Sequence, residues 1–185
     1  MSYQELMALL LAPDAPQKLR AQEESVFALL PELAVCKGFD QKNSWHVYDV
    51  YEHILHVVEG TPAQRVLRLT ALFHDLGKPL AFTVDAQGVG HFYGHWERSM
   101  ELFQKYAPLL ALPQQETQLI TALVFYHDVN PDQMTSAERE EMIERLGREN
   151  LPLLFAIKRA DLLAQSAVYR HMMSNIDRQE RELCG

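Results

Sequence analysis

A chain of 185 residues, 48% of them apolar, is long enough to bury a core and too apolar for wholesale disorder. Its 17 Lys and Arg against 25 Asp and Glu give a net charge of −8, which disfavours tight, non-specific nucleic-acid binding, a task for clustered cations. No run approaches the ~20 apolar residues that cross a bilayer, and the opening MSYQELMALLLAPDAPQ has no basic stretch ahead of its apolar one. A cytoplasmic protein without a membrane partner is expected, and Cys36 and Cys184 mark no disulfide framework.

Ser2 with Glu5 forms a capping-box pattern that opens a helix to about residue 11. Asp14-Ala15-Pro16 starts a second, with the stripe Leu19, Val26, Phe27 and Leu30 and a stop at Pro31. Residues 1–30 thus read as a helical appendage, for packing or for an oligomer surface. Residues 31–45 read as irregular. From His46 to Glu59 the face Val50, His53, Ile54, Val57, Val58 is helical, closed by Gly60. Thr61-Pro62 restarts the chain, and a helix runs to His74-Asp75, ended by Gly77-Lys78-Pro79. Residues 80–94 read as a short β-hairpin around DAQG. Helices resume at about 95–107, 116–127, 136–146 and 151–175. The expectation is an all-α bundle of seven or eight helices with one small hairpin, its main body over 31–170 and a mixed-charge tail over 171–185.

The 8 His are the oddity of the composition. His53, His127 and Asp161 each continue an apolar helical face, and His74-Asp75 and His95 stand at helix ends. An unpaired carboxylate on an inward stripe is expensive. Four imidazoles and two carboxylates facing inward are explained together by metal held between helices. His53, His74, Asp75 and Asp161 would hold one ion with positions open for water. His95 and His127 would allow a second, with Asp75 as bridge. The mixed nitrogen and oxygen donors suit Mn, Fe, Co, Ni or Zn, with Mg also permitted.

The order H…HD…H…H…D, in the strings EHILHVVE, ALFHDLGKP, HFYGHWERS, VFYHD and KRADLLAQS, resembles the HD-domain metal-dependent phosphohydrolases. More narrowly, GFDQKNSWHVYDVYEHILHV and ALFHDLGKPLAFTVDAQGVGHFYGH are similar to the HD region of bacterial CCA-adding tRNA nucleotidyltransferases. The likeness runs from about Leu29 to Ser166. Ile54 and Trp96-Glu97-Arg98 depart from the family pattern. No nucleotidyltransferase head, with its Gly-Ser and paired-Asp motif, precedes this region, so nucleotide addition is not expected.

The resemblance implies metal ligands at His53, His74, Asp75 and Asp161, with His95 and His127 as further ligands, phosphate contacts or hydrogen-bond donors to the ligands. It points to Lys78, beside the catalytic Asp75, and more loosely to Lys158, as partners of a substrate phosphate. Lys158-Arg159 equally fits a solvated helix face. His46, with Gln41 and Trp45 nearby, would touch substrate from its loop or pack a turn. His91 belongs at the rim of the pocket. Asp49 fits either the N-terminal dipole of its helix or a carboxylate orienting an imidazole. His56 and His171 read as structural. The expected activity is hydrolysis of a small phosphorylated substrate, a nucleotide or related phosphoester, as a phosphomonoesterase or 2′,3′-cyclic phosphodiesterase. The alternatives are a non-catalytic HD-type module that binds tRNA, nucleotide or a protein partner, and a nucleotide sensor.

Overall fold

A computed structural model describes all 185 residues, Met1–Gly185. Twelve α-helices and one two-stranded hairpin make up the chain, an all-α bundle. The N-terminal helices are α1 (Tyr3–Leu10), α2 (Ala15–Ala21), α3 (Glu23–Leu29) and α4 (Pro31–Cys36). The centre holds α5 (Val50–Gly60), α6 (Arg65–Phe73) and α7 (Lys78–Ala81), then β1 (Thr83–Val84) paired antiparallel with β2 (Gly90–His91). The remainder is α8 (His95–Leu110), α9 (Gln114–Tyr126), α10 (Ser136–Leu146), α11 (Leu151–Ala164) and α12 (Met173–Cys184).

Local chemistry sets several boundaries differently from the periodicity. The segment expected as one helix over 14–30 breaks at Gln22, which caps α2 and α3 with φ −120° and ψ 24°. Pro31 does not only stop a helix. It opens α4 at the first helical position, where its missing N–H costs nothing, so part of 31–45 is ordered helix. The helix expected from His46 begins at Val50, because the Asp49 side chain caps it, accepting from Glu52 N at 2.7 Å and from Gly38 N at 2.8 Å. Asp49 is therefore a cap and does not orient an imidazole. The restart expected at Thr61-Pro62 comes at Arg65. The helix expected over 151–175 ends at Ala164, and a 3-10 turn at 167–172 leads into α12. The tail is thus largely helical.

One cluster of 28 buried residues joins Leu6, Leu10, Leu19, Val26 and Leu30 of the N-terminal helices to Ile54, Leu69, Phe73, Phe103 and Ile157. A smaller cluster of 7, including Leu123, Met142 and Leu151, joins α9, α10 and α11. Two glycines let the elements carrying the chemistry approach closely. A Cβ on Gly77 would lie 2.5 Å from Ser99 N and 2.6 Å from His95 O, so only glycine lets the α6–α7 turn touch the start of α8. A Cβ on Gly90 would lie 2.2 Å from Gln41 O, where the hairpin meets the loop before α5.

Candidate metal centre

Six of the residues singled out in the sequence converge between α5, α6, α8, α9 and α11. His53 comes from the inner face of α5, His74 and Asp75 from the end of α6, His95 from the start of α8, His127 from the end of α9 and Asp161 from α11. His53, His74, Asp75, His95 and His127 are all buried, and Asp161 is half-buried. Two ligand-like groups result: His53, His74, Asp75 and Asp161, and Asp75, His95 and His127, each with its donor atoms within 4.8 Å of one another.

Asp75 stands between the groups. Its Oδ2 lies 3.1 Å from His53 Nε2 and 3.3 Å from His74 Nε2, while its Oδ1 lies 3.2 Å from His95 Nε2 and 3.5 Å from His127 Nε2. Asp161 Oδ1 approaches His53 Nε2 at 2.9 Å. The backbone fixes three tautomers. Nδ1 of His74, His95 and His127 donates to the carbonyls of Ala71, Phe92 and Val124 at 2.7, 2.9 and 2.7 Å, which leaves each neutral ring with its lone pair on Nε2. Yet His95 Nε2 and His127 Nε2 face each other at 3.2 Å, and His53 Nε2 and His74 Nε2 at 3.3 Å. Between His95 and His127, both set with Nε2 lone pairs, that separation is repulsive unless a cation lies between them. Asp75 Oδ2 is buried without a well-directed hydrogen bond, paired within the chain by the charge of Lys78 at 2.6 Å. Donor atoms bound at about 2.0–2.2 Å around one ion are spaced about 3 Å apart. The donor set therefore fits a divalent metal.

The electrostatics point the same way. Burial would raise the Asp75 carboxyl, but the charges of His74 and Lys78 and hydrogen bonding from His127 and His53 outweigh it and hold it well below the usual carboxylate range. Asp161 is likewise lowered: burial opposes ionisation, and hydrogen bonding and charge from His53 prevail. Burial would depress His53, but Asp161 and Asp75 raise it to about 9. Burial lowers His127. The pocket thus keeps two carboxylates ionised and calls for positive charge at its centre.

Lys78, the first residue of α7, is buried beside this cluster. Its Nζ lies 2.6 Å from Asp75 Oδ2, donates to Gln41 Oε1 at 2.9 Å and sits 3.0 Å from His46 Nε2. Burial, then the charge of Lys78, lowers His46 to about 3, so its ring is neutral and accepts from Lys78. His46 and Gln41 therefore hold Lys78 in place, and His46 also lines the cleft. Lys158 is not on a solvated face. Its Nζ donates to the carbonyls of His127 at 2.7 Å and Val129 at 2.6 Å, and burial lowers it to about 8. Arg159 turns the other way and ties α11 to Asp177 and Glu180 of α12. His91 stands at the rim, bonded to Asp85 Oδ2 at 2.8 Å. His56 stacks on Tyr48 and His171 bonds the Val168 carbonyl, both away from the cluster.

A cleft of about 430 Å³ opens onto Asp75, Lys78, His95, His127 and Asp161, within the size range of small-molecule sites. Trp45 lines it, stacked on Tyr169 at 3.7 Å between ring centroids. A larger, shallower groove of about 1710 Å³ along α8, α9 and α10 contains none of the six cluster residues. The outer wall of the cleft comes from Asn130, Asp132, Asn175, Ile176 and Gln179, none of them expected at the site. The signal was faint: Ile176, Gln179 and Leu183 fall at helical spacing in a stretch dominated by charge.

This helical body, with its bridged His/Asp cluster, defines the class of protein. Residues 44–166 match the HD-domain family model, and the chain belongs to that family, a superfamily of the metal-dependent phosphohydrolase type. Among curated proteins it is 33% identical over 188 residues to a CC-adding tRNA nucleotidyltransferase of Thermus thermophilus, covering 97% of this chain and 43% of that protein. It is 34% identical over 165 residues to an A-adding tRNA nucleotidyltransferase of Deinococcus radiodurans, covering 85% of this chain and 37% of that protein. The chain thus spans about two fifths of the length of these relatives. No helix is long and apolar enough to cross a membrane.

Proposed function

We propose that this chain is a divalent-metal-dependent phosphohydrolase acting on a nucleotide or related small phosphoester, of the phosphomonoesterase or 2′,3′-cyclic phosphodiesterase type. The reading rests on one observation above others: four imidazoles gather around the two oxygens of Asp75, with His95 and His127 meeting through their Nε2 atoms at 3.2 Å, at the floor of an open cleft. His53, His74, Asp75 and Asp161 would hold one ion, and Asp75, His95 and His127 a second. A divalent transition metal bound there supplies a Lewis acid and lowers the pKa of coordinated water from about 15.7 to about 7.

The chain's own residues do the rest. Lys78, fixed by Gln41 and His46, presents a cation at the cleft floor, where it neutralises charge on a phosphoryl oxygen. Asp75 orients both halves of the cluster through its two oxygens. Lys158, through the carbonyls of His127 and Val129, fixes the segment that forms the cleft wall. His91 at the rim, partnered by Asp85, is placed to contact substrate entering the cleft. The net charge of −8 disfavours tight nucleic-acid binding and leaves a small phosphorylated substrate, and a cytoplasmic location is part of the same reading.

The test is metal analysis of the purified protein, then assays of wild type, His74→Ala and Asp75→Ala on mixed nucleotide phosphates. Loss of hydrolysis in both variants is expected; wild-type activity in both would sink the proposal. The tRNA-linked names of the two relatives favour a second reading, a non-catalytic module that binds tRNA. Tight tRNA binding that weakens steeply between two salt concentrations, without hydrolysis of any phosphate, would select it.

A further inference from the structure

The outer wall of the cleft is built from amides whose orientation the structure fixes. Gln179, only 6% exposed, donates through Nε2 to Asn130 Oδ1 at 2.9 Å and to Asp132 Oδ2 at 2.8 Å. A carboxylate only accepts, so the amino group of Gln179 must face Asp132, and its Oε1 faces the other way. That Oε1 has no partner within the chain, although the side chain is buried and lines the cleft. Asn130 is set in the same manner. Its Oδ1 accepts from Gln179 and from Asp132 N at 3.1 Å, which leaves its Nδ2 as an uncommitted donor on the same wall.

The wall is held firmly. Asp132 is also gripped by Arg178 at 2.5 Å, and Arg159 fastens α12 to α11. Gln165, between wall and floor, donates to Asp161 Oδ2 at 3.2 Å. An uncommitted acceptor and an uncommitted donor on one wall are the groups that complement a nucleobase edge, which pairs an exocyclic group with a ring nitrogen; a single Asn or Gln amide reads adenine with the same two groups. Tyr93, 78% exposed at the rim of the same cleft, adds an aromatic face on which a base can stack.

We infer that Gln179 Oε1 and Asn130 Nδ2 form a base-reading subsite, so that the substrate is a mononucleotide recognised through its base. This rests on the phosphohydrolase reading and narrows its substrate class. It also places part of the specificity in α12, beyond the residues 44–166 that match the family model.

Calorimetric titration of the Mn²⁺-loaded full chain with nucleoside 5′-monophosphates, nucleoside 2′,3′-cyclic monophosphates and ribose 5-phosphate tests this, with hydrolysis of each followed in parallel. At least one nucleotide should bind about tenfold or more tighter than ribose 5-phosphate, the scale of a good bidentate contact. Gln179→Leu should cut that ratio about tenfold, and so should Asn130→Asp, an isosteric change that replaces the donor with a carboxylate oxygen, whose added charge weakens ribose 5-phosphate and nucleotides alike and so cancels in the ratio. Circular dichroism establishes that both variants are folded. Equal binding of ribose 5-phosphate and every nucleotide, or an unchanged ratio in either folded variant, overturns the subsite. Hydrolysis without base preference does the same and leaves the phosphohydrolase reading standing. Base-selective binding without hydrolysis upholds the subsite and defeats the phosphohydrolase reading.

Discussion

Lys158 Nζ donates to the His127 carbonyl at 2.7 Å, so the helix that carries Asp161 also fixes the end of the helix that carries His127. The same ammonium reaches the Val129 carbonyl at 2.6 Å. A helix C-terminus leaves such carbonyls without partners, and a cation there is doubly favourable. Lys158→Met keeps the length of the stem and removes the donor. It should cost about 1.5–3 kcal/mol of stability, the range for hydrogen bonds to a charged group, measured by urea unfolding at neutral pH. Unfolding curves that superimpose on those of the wild type would show that the two carbonyls do not need Lys158.

The bridge at Asp75 makes metal stoichiometry a direct probe of the cluster. His127→Ala should leave the group containing His53, His74, Asp75 and Asp161 intact and remove one ion of a bound pair, as read by elemental analysis after equilibrium dialysis. Asp75→Asn should reduce loading of both groups. In the wild type, divalent metal at about one hundred times its Kd should stabilise by about 2.7 kcal/mol against unfolding, and a chelator should reverse the effect. A thermal midpoint indifferent to metal and chelator would exclude a resident ion.

Gly77 is a steric requirement. A Cβ there would lie 2.5 Å from Ser99 N and 2.6 Å from Arg98 Cβ, both on α8. Gly77→Ala should destabilise by about 3 kcal/mol or more, at the upper end for overpacking, and loosen His95 from Asp75. Gly88→Ala is the control. Its φ of +83° is unfavourable for alanine, but a Cβ there meets nothing within 4 Å, so about 1–2 kcal/mol is expected. Equal losses at the two positions would show that crowding at Gly77 is relieved elsewhere.

Far from the cluster, Glu32 of α4 accepts from Lys105 Nζ at 2.7 Å and from the Tyr106 hydroxyl, both on α8. Burial would raise its carboxyl, yet these two bonds outweigh it and lower it from 4.5. A depressed carboxylate stabilises the fold above its unfolded pKa, and the contribution is lost as pH falls through the folded value. Glu32→Gln should therefore cost about 0.5–1 kcal/mol at pH 6, modest because Lys105 is largely exposed, with the difference closing as pH falls below 4.5. A gap that persists undiminished at pH 2.5 would assign the effect to packing.

The chemistry was more legible in the sequence than the boundaries of the elements. His53, Asp161 and His127 betray themselves as polar residues on apolar stripes, and His74-Asp75 by its place before a glycine stop. What periodicity does not convey is which lone pair faces which. The pairing of His95 with His127 depends on two backbone carbonyls, of Phe92 and Val124, and on the contact at Gly77. Pro31 reads as a stop in the sequence because proline both ends and begins helices, and α4 shows the second use. The stretch after Arg170 hid its role because its charges serve neighbours distant in sequence: Asp177 and Glu180 bind Arg159, and Arg178 binds Asp132. Asn130 and Gln179 lie 49 residues apart and form a pair only once those ties are made.

The stack of Trp45 on Tyr169 carries a consequence of its own. The rings lie 3.7 Å apart at 13°, joining the loop before α5 to the turn after α11, and Ser166 N donates to the Trp45 carbonyl at 2.8 Å. Trp45 is one of only two tryptophans in the chain. Because it borders the cleft and is 40% exposed, its emission is an intrinsic optical gauge of what enters the mouth.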